Sequence, residues 1–143
     1  MDHNRPSIDS VLINVAIEFS KRSTCDRAAV GCVIATSDGR VLSTGYNGSA
    51  AGMPHCSDAG HIIDVSGSCI RTIHAEMNAV AHAAKHGVKL AGAVAYCTHR
   101  PCVNCAKVLT AAGIARVVYV REYHAARQDV YDALGLVVAQ FTQ

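Results

Sequence analysis

His74, Glu76, Cys102 and Cys105 are the residues whose types and spacing could do chemistry. His74-Ala75-Glu76 opens one apolar-periodic stretch and Pro101-Cys102-Val103-Asn104-Cys105 opens another. Cys102 and Cys105 are three positions apart, which on a helix puts both sulfurs on one face, and the positive end of the helix dipole favours them as thiolates. With His74 they make three ligands for zinc. Three protein ligands leave the fourth tetrahedral position to water, as in a catalytic rather than a structural site, and zinc brings the pKa of such a water to about 7. Glu76 lies two residues from His74 and, on a helix, projects away from it, which suits a proton shuttle better than a fourth ligand. Two plainer readings compete. One is a core histidine with two small buried cysteines. The other is a non-catalytic zinc site, which would need four ligands and leave Glu76 without a role.

Cys25, Cys56, His61 and Cys69 are a second set of soft donors, three of them in a long irregular stretch. They could close a structural zinc site that pins that stretch, with His55 competing for the place of His61, or they could be unmetalled loop residues. Cys32 and Cys97 fall in strand-like runs and read as core.

The elements that must position these groups follow from periodicity. Ile8, Val11, Leu12, Val15, Ala16 and Phe19 share a helical face, predicting a helix over 7–21. Residues 29–36 and 41–46 read as strands around the Asp38-Gly39 turn, hence an antiparallel hairpin. Residues 47–69, rich in Gly, Ser, Asp and His, read as a loop longer than a compact domain keeps without a use for it. Helices are expected over 74–86, 102–112 and 125–134, stopped by Gly87, Gly113 and Gly135, and strands over 93–98, 116–120 and 136–141. Strands joined through helices need crossovers and are therefore parallel. The expectation is an α/β fold, with a mixed five-stranded sheet of antiparallel hairpin plus parallel strands and helices on both faces, in one domain over 1–143.

The chain-wide composition excludes several roles. Half of the 143 residues are hydrophobic, enough for an ordinary core. A net charge of +2, without basic runs, and an aromatic content of 5% without Trp argue against a nucleic-acid partner. The polar stretch 1–10 is unlike a signal peptide and no apolar run reaches the length of a membrane span, so a cytoplasmic protein without a membrane partner is expected. In that compartment the seven cysteines stay reduced.

H-x-E followed by P-C-x-x-C is the signature of the zinc nucleobase deaminases. His74-Ala75-Glu76-Met77-Asn78 with Pro101-Cys102-Val103-Asn104-Cys105 resembles its deoxycytidylate (dCMP) deaminase branch. Cys25-Asp26-Arg27 before Val30-Gly31, Gly45-Tyr46-Asn47-Gly48, His55-Cys56 and Cys69-Ile70-Arg71-Thr72 extend the resemblance over 19–123. The resemblance implies a three-layer cytidine-deaminase-like fold and hydrolysis of dCMP to dUMP and ammonia. Glu76 would then carry a proton from the attacking water to the ring nitrogen beside the attacked carbon, and later protonate the departing ammonia. The branch often carries a second zinc, with Cys common where this chain has His61. Ser23, Arg27, Asn47 and Tyr123 are the implied contacts to sugar and phosphate, and His99 a wall of the pocket; Arg27 could equally be a solvated charge, Tyr123 a rim residue and His99 a strand-end surface residue. The family usually forms homo-oligomers, and many dCMP deaminases answer to dCTP and dTTP as allosteric effectors. Free cytidine or deoxycytidine, guanine and a tRNA adenosine are the alternative substrates. An inactive zinc-stabilised binding protein is the non-enzymatic alternative.

Overall fold

The computed structural model describes residues 4–142; residues 1–3 of the polar N-terminal stretch and residue 143 lie outside them. The elements run α1 (Ile8–Ser20), β1 (Gly31–Ala35), β2 (Val41–Tyr46), α2 (Cys56–Ala59), α3 (Ala75–Lys85), β3 (Val94–His99), α4 (Val103–Ala111), β4 (Arg116–Arg121), α5 (Gln128–Leu134) and β5 (Val137–Gln140). The strands form one five-stranded sheet in the order β2-β1-β3-β4-β5. β1 is antiparallel to both β2 and β3, while β3, β4 and β5 are parallel. The hairpin and the parallel trio are as the sequence predicts. The docking of β1 against β3, with Cys32 opposite Cys97, is new.

Side-chain alternation along the strands divides the core between two faces. Val33, Ala35, Val94, Tyr96 and Val118 meet Leu12, Ile13 and Ala16 of α1. Cys32, Ile34, Ala95, Cys97 and Val117 meet Ala75, Ala79 and Ala83 of α3 and Ala106 and Leu109 of α4. The result is three layers, and β1, covered on both faces, is buried throughout. Ile13, Ile34 and Leu109 are fully buried, each contributing about 1.5–3 kcal/mol. Ser7 caps α1 by accepting the Ser10 N–H at 3.0 Å. Asp9 ties that helix to the sheet, accepting from Tyr96 Oη at 2.7 Å and pairing with Arg116 at 3.1 Å.

The seating of α3 matters most for function. A Cβ on Gly45 would stand 2.3 Å from the Ala75 carbonyl oxygen, so only glycine lets the first turn of α3 lie on β2. Asn78 Nδ2 donates to the Tyr46 carbonyl at 2.8 Å and Ser43 Oγ to the Ala79 carbonyl at 2.7 Å, locking that contact. Residues 47–73 are less irregular than their composition suggests, with the short helix α2 and antiparallel bridges Gly48–Ile73 and Ile63–Cys69. No helix among the described residues is long and apolar enough to cross a membrane.

Candidate active site

Two helix N-termini converge at the chemistry. His74 is the N-cap of α3 and Cys102 the N-cap of α4, both with extended backbone. Each expected helix therefore starts one residue later, with His74 and Cys102 just ahead of the first turn. Cys102 Sγ accepts from the Cys105 N–H at 3.4 Å. His74 Nδ1 stands 3.3 Å from Cys105 Sγ and 3.6 Å from Cys102 Sγ. Zinc bonds of about 2.3 Å to sulfur and 2.0–2.1 Å to nitrogen set tetrahedral N–S edges of about 3.6 Å, so the three donors fit a zinc ion. The Tyr131 hydroxyl donates to the Pro101 carbonyl at 2.6 Å and holds the turn that carries Cys102.

Cys102 and Cys105 shift each other's thiols in opposite directions. The hydrogen bond from the Cys105 thiol, with that from His74, brings Cys102 down to about 4, and the same pairing pushes Cys105 far up. Its hydrogen bond to Cys102 raises His74 in turn. Glu76, on the first turn of α3, stands outside the ligand trio. It is buried at 4% exposure, and burial pushes its carboxyl above the usual range against the pull of Cys105 and His74.

His74, Glu76 and Cys102 open onto a cavity of about 320 Å³. Of the substrate contacts expected from sequence, Arg27, Asn47, His99 and Tyr123 line it and Ser23 does not. Arg27 is exposed at this cavity, with no hydrogen-bond or ion-pair partner among the described residues. Asn47 is buried; its Oδ1 accepts from the Val30 N–H at 2.8 Å and its Nδ2 donates to the Ala28 carbonyl at 2.6 Å. Ser23 Oγ accepts from the Cys25 N–H at 3.3 Å and lies 3.2 Å from the Ala28 carbonyl. Both therefore brace the segment that projects Arg27. His99 is half-buried, and burial, then Arg121, hold its ring below the usual range. Tyr123 stacks obliquely on His124 at 4.8 Å.

Thr72 and Arg100 line the cavity too, without having been singled out from the sequence. Arg100 lies over Tyr131 and Tyr119 at 4.8 and 5.3 Å and pairs with Glu122 at 3.2 Å, while its buried Nε has no hydrogen-bond partner among the described residues. Its place directly before Pro101 was the one available signal.

Cys25, Cys56, His61 and Cys69 also converge, all four donor atoms lying within 4.8 Å of one another. Cys25 Sγ to His61 Nδ1 and Cys56 Sγ to Cys69 Sγ are both 3.6 Å, close to the tetrahedral edges zinc demands of about 3.6–3.8 Å. His61 and not His55 completes the set; His55 stands at the N-cap position of α2 without a side-chain cap hydrogen bond. Burial, reinforced by hydrogen bonds with Cys69 and Cys25, pushes Cys56 up to about 12. Burial also opposes ionisation of Cys69, yet the N–H groups of Arg71 and Ile62 carry it down to about 6. Cys25 and Cys69 line the same cavity as His74, so the two donor sets share a wall. Cys32 and Cys97, by contrast, are wholly buried in the core.

Comparison with known proteins agrees with this geometry. Residues 6–121 match the family model described as the cytidine and deoxycytidylate deaminase zinc-binding region. ComE operon protein 2 of Bacillus subtilis is 45% identical over 121 residues, covering 83% of this chain and 63% of its own length. The deoxycytidylate deaminase of Mycobacterium phage D29 is 36% identical over 129 residues, covering 83% of this chain and 98% of that protein. The crystal structure of dCMP deaminase from the cyanophage S-TIM5 in complex with dCMP and dUMP superposes with a TM-score of 0.82 at 32% identity, over 97% of this chain and all of that one. This chain spans less than two-thirds of the Bacillus protein but nearly the whole of both phage proteins. With its three-layer fold, its two zinc-competent donor sets and these matches, the chain belongs to the cytidine and deoxycytidylate deaminase family.

Proposed function

We propose that the chain is a single-domain, zinc-dependent hydrolase that deaminates a cytosine mononucleotide, converting dCMP and water to dUMP and ammonia. The observation that carries this reading is the gathering of His74, Cys102, Glu76 and Arg27, the last unpaired among the described residues, around one cavity of about 320 Å³, in the size range of small-ligand sites. Zinc held by His74, Cys102 and Cys105 would supply a Lewis acid that makes water acidic near neutral pH. Glu76 does the proton work. Its buried carboxylate takes one proton from the attacking water and gives it to the ring nitrogen beside the attacked carbon; it then takes the second proton, from the hydroxyl just added to that carbon, and gives it to the amine, so that the C–N bond breaks, the carbonyl forms and ammonia leaves. His99, held below its usual range, offers a neutral ring to the base.

At the other end Arg27 receives the phosphate, with Tyr123 at its side and Ser23 and Asn47 fixing the segment behind it. The seven free thiols suit a reducing cytoplasm. Exposed Met53, Ile62, Ile63, Val65 and Ile70 in the 47–73 segment favour a homo-oligomer, for which dCTP and dTTP are the proposed effectors.

Arg27→Ala tests the substrate assignment. Its kcat/KM for dCMP should fall about tenfold or more, as expected when a charge-assisted hydrogen bond is lost, while any residual rate on deoxycytidine stays unchanged. In the unaltered chain dCMP should far outrun deoxycytidine. Equal rates on the two would return the phosphate assignment to nothing and leave a nucleoside deaminase.

A further inference from the structure

The second donor set contains one histidine among three cysteines, and both of its ring nitrogens are engaged on opposite sides. Nδ1 faces Cys25 Sγ at 3.6 Å and Nε2 lies 2.8 Å from Asp26 Oδ1. A thiolate binds zinc without outside help. A neutral imidazole must instead choose a tautomer, and only the one protonated on Nε2 leaves Nδ1 bare for a metal. We propose that Asp26 is the positioning residue of the second metal site: its carboxylate accepts the Nε2–H of His61, fixes the ring and presents Nδ1 to the ion. Asp26 directly follows Cys25, so one turn of backbone supplies a ligand and the carboxylate that orients the ligand facing it. Carboxylate partners of this kind tune metal-bound histidines generally. The inference rests on the second site holding zinc.

Asp26 is 88% exposed at its side chain, so its removal leaves no cavity in the core. The experiment is zinc transfer from the purified holoprotein to a chromophoric chelator, with metal content measured beside it. The unaltered chain should carry about two equivalents, since the two donor sets share no residue. Asp26→Ala should weaken retention of one equivalent by about 10–100-fold and leave the other unchanged. Asp26→Asn, whose amide oxygen still accepts, should fall between. In a His61→Cys background, where no tautomer remains to be fixed, Asp26→Ala should change nothing. With cobalt in place of zinc, Asp26→Ala should also shift the ligand-field bands of the second site while its thiolate charge-transfer band persists, a readout that does not depend on the His61→Cys protein folding.

Retention as in the unaltered chain, cobalt bands that do not move, or an equal loss in the His61→Cys background would overturn the role of Asp26 and leave the metal site standing. A single zinc equivalent in the freshly purified, unaltered chain would remove the second site, and the proposal with it.

Discussion

Glu76→Gln should lower turnover of dCMP by at least about 100-fold, the loss typical of removing a general acid/base, with zinc content unchanged. Gln keeps the volume and helix preference of Glu, and the position is buried at 4% exposure, so an isosteric replacement is needed to keep the packing. Zinc should stay because Glu76 stands outside the His74–Cys102–Cys105 trio. What the amide lacks is a proton it can give and take back. Measured kcat within a fewfold of the unaltered chain would remove Glu76 from the mechanism, whatever its place in the cavity.

The second large effect is expected from Cys102→Ser. Cys102 has two roles that serine would separate: it caps α4 through its Sγ, and the same Sγ lies 3.6 Å from His74 Nδ1, placed to ligate zinc as a thiolate. Serine is among the best N-caps, but its hydroxyl stays protonated and is a poor zinc ligand. Activity should drop below detection and the zinc equivalent of the His74 site should be lost, while the metal-free variant melts at the temperature of the metal-free unaltered chain. A variant that kept both zinc and turnover would show that the sulfur is not a ligand. A metal-free variant that melted well below the metal-free unaltered chain would show that the loss lies in the helix rather than in the metal.

How far the site can be read without coordinates depends on what each residue does. His74, Cys102 and Cys105 are legible because a metal site would demand particular atoms at fixed spacing, Glu76 because a carboxyl two residues after such a histidine suits proton transfer, and all four because both segments open helices whose apolar periods are plain. Cys25, Cys56, His61 and Cys69 are legible as donors but not as a cluster: three lie on a stretch without periodicity, and only the turn at Ser23–Ala28 and the Ile63–Cys69 bridge bring them together. The helix α2 escapes detection since four residues are barely one turn. The start of α5 moves from 125 to Gln128 because residues 123–126 form a turn of their own, with the Ala126 N–H bonded to the Tyr123 carbonyl. The docking of β1 between β2 and β3 depends on tertiary pairing, which an apolar run does not encode. Arg100 is the clearest omission. Its role comes from stacking on Tyr119 and Tyr131, which are close only once β4 and α5 have packed. Ser23 and Asn47, expected at the nucleotide by resemblance, use their side chains on the backbone of residues 25–30, a partnership no spacing announces.

If zinc and Glu76 together remove ammonia from a cytosine nucleotide in this cavity, ammonia release by the zinc-loaded chain is the measurement that decides it. It should be read side by side on dCMP, CMP, deoxycytidine, cytidine and guanine, with dUMP identified as the product. Equimolar dUMP and ammonia are expected from dCMP, with a higher kcat/KM for dCMP than for any other compound in the set, and no release after the metal is stripped until zinc is restored. Ammonia from none of the cytosine compounds, or undiminished activity in a rigorously metal-free preparation, would contradict that mechanism.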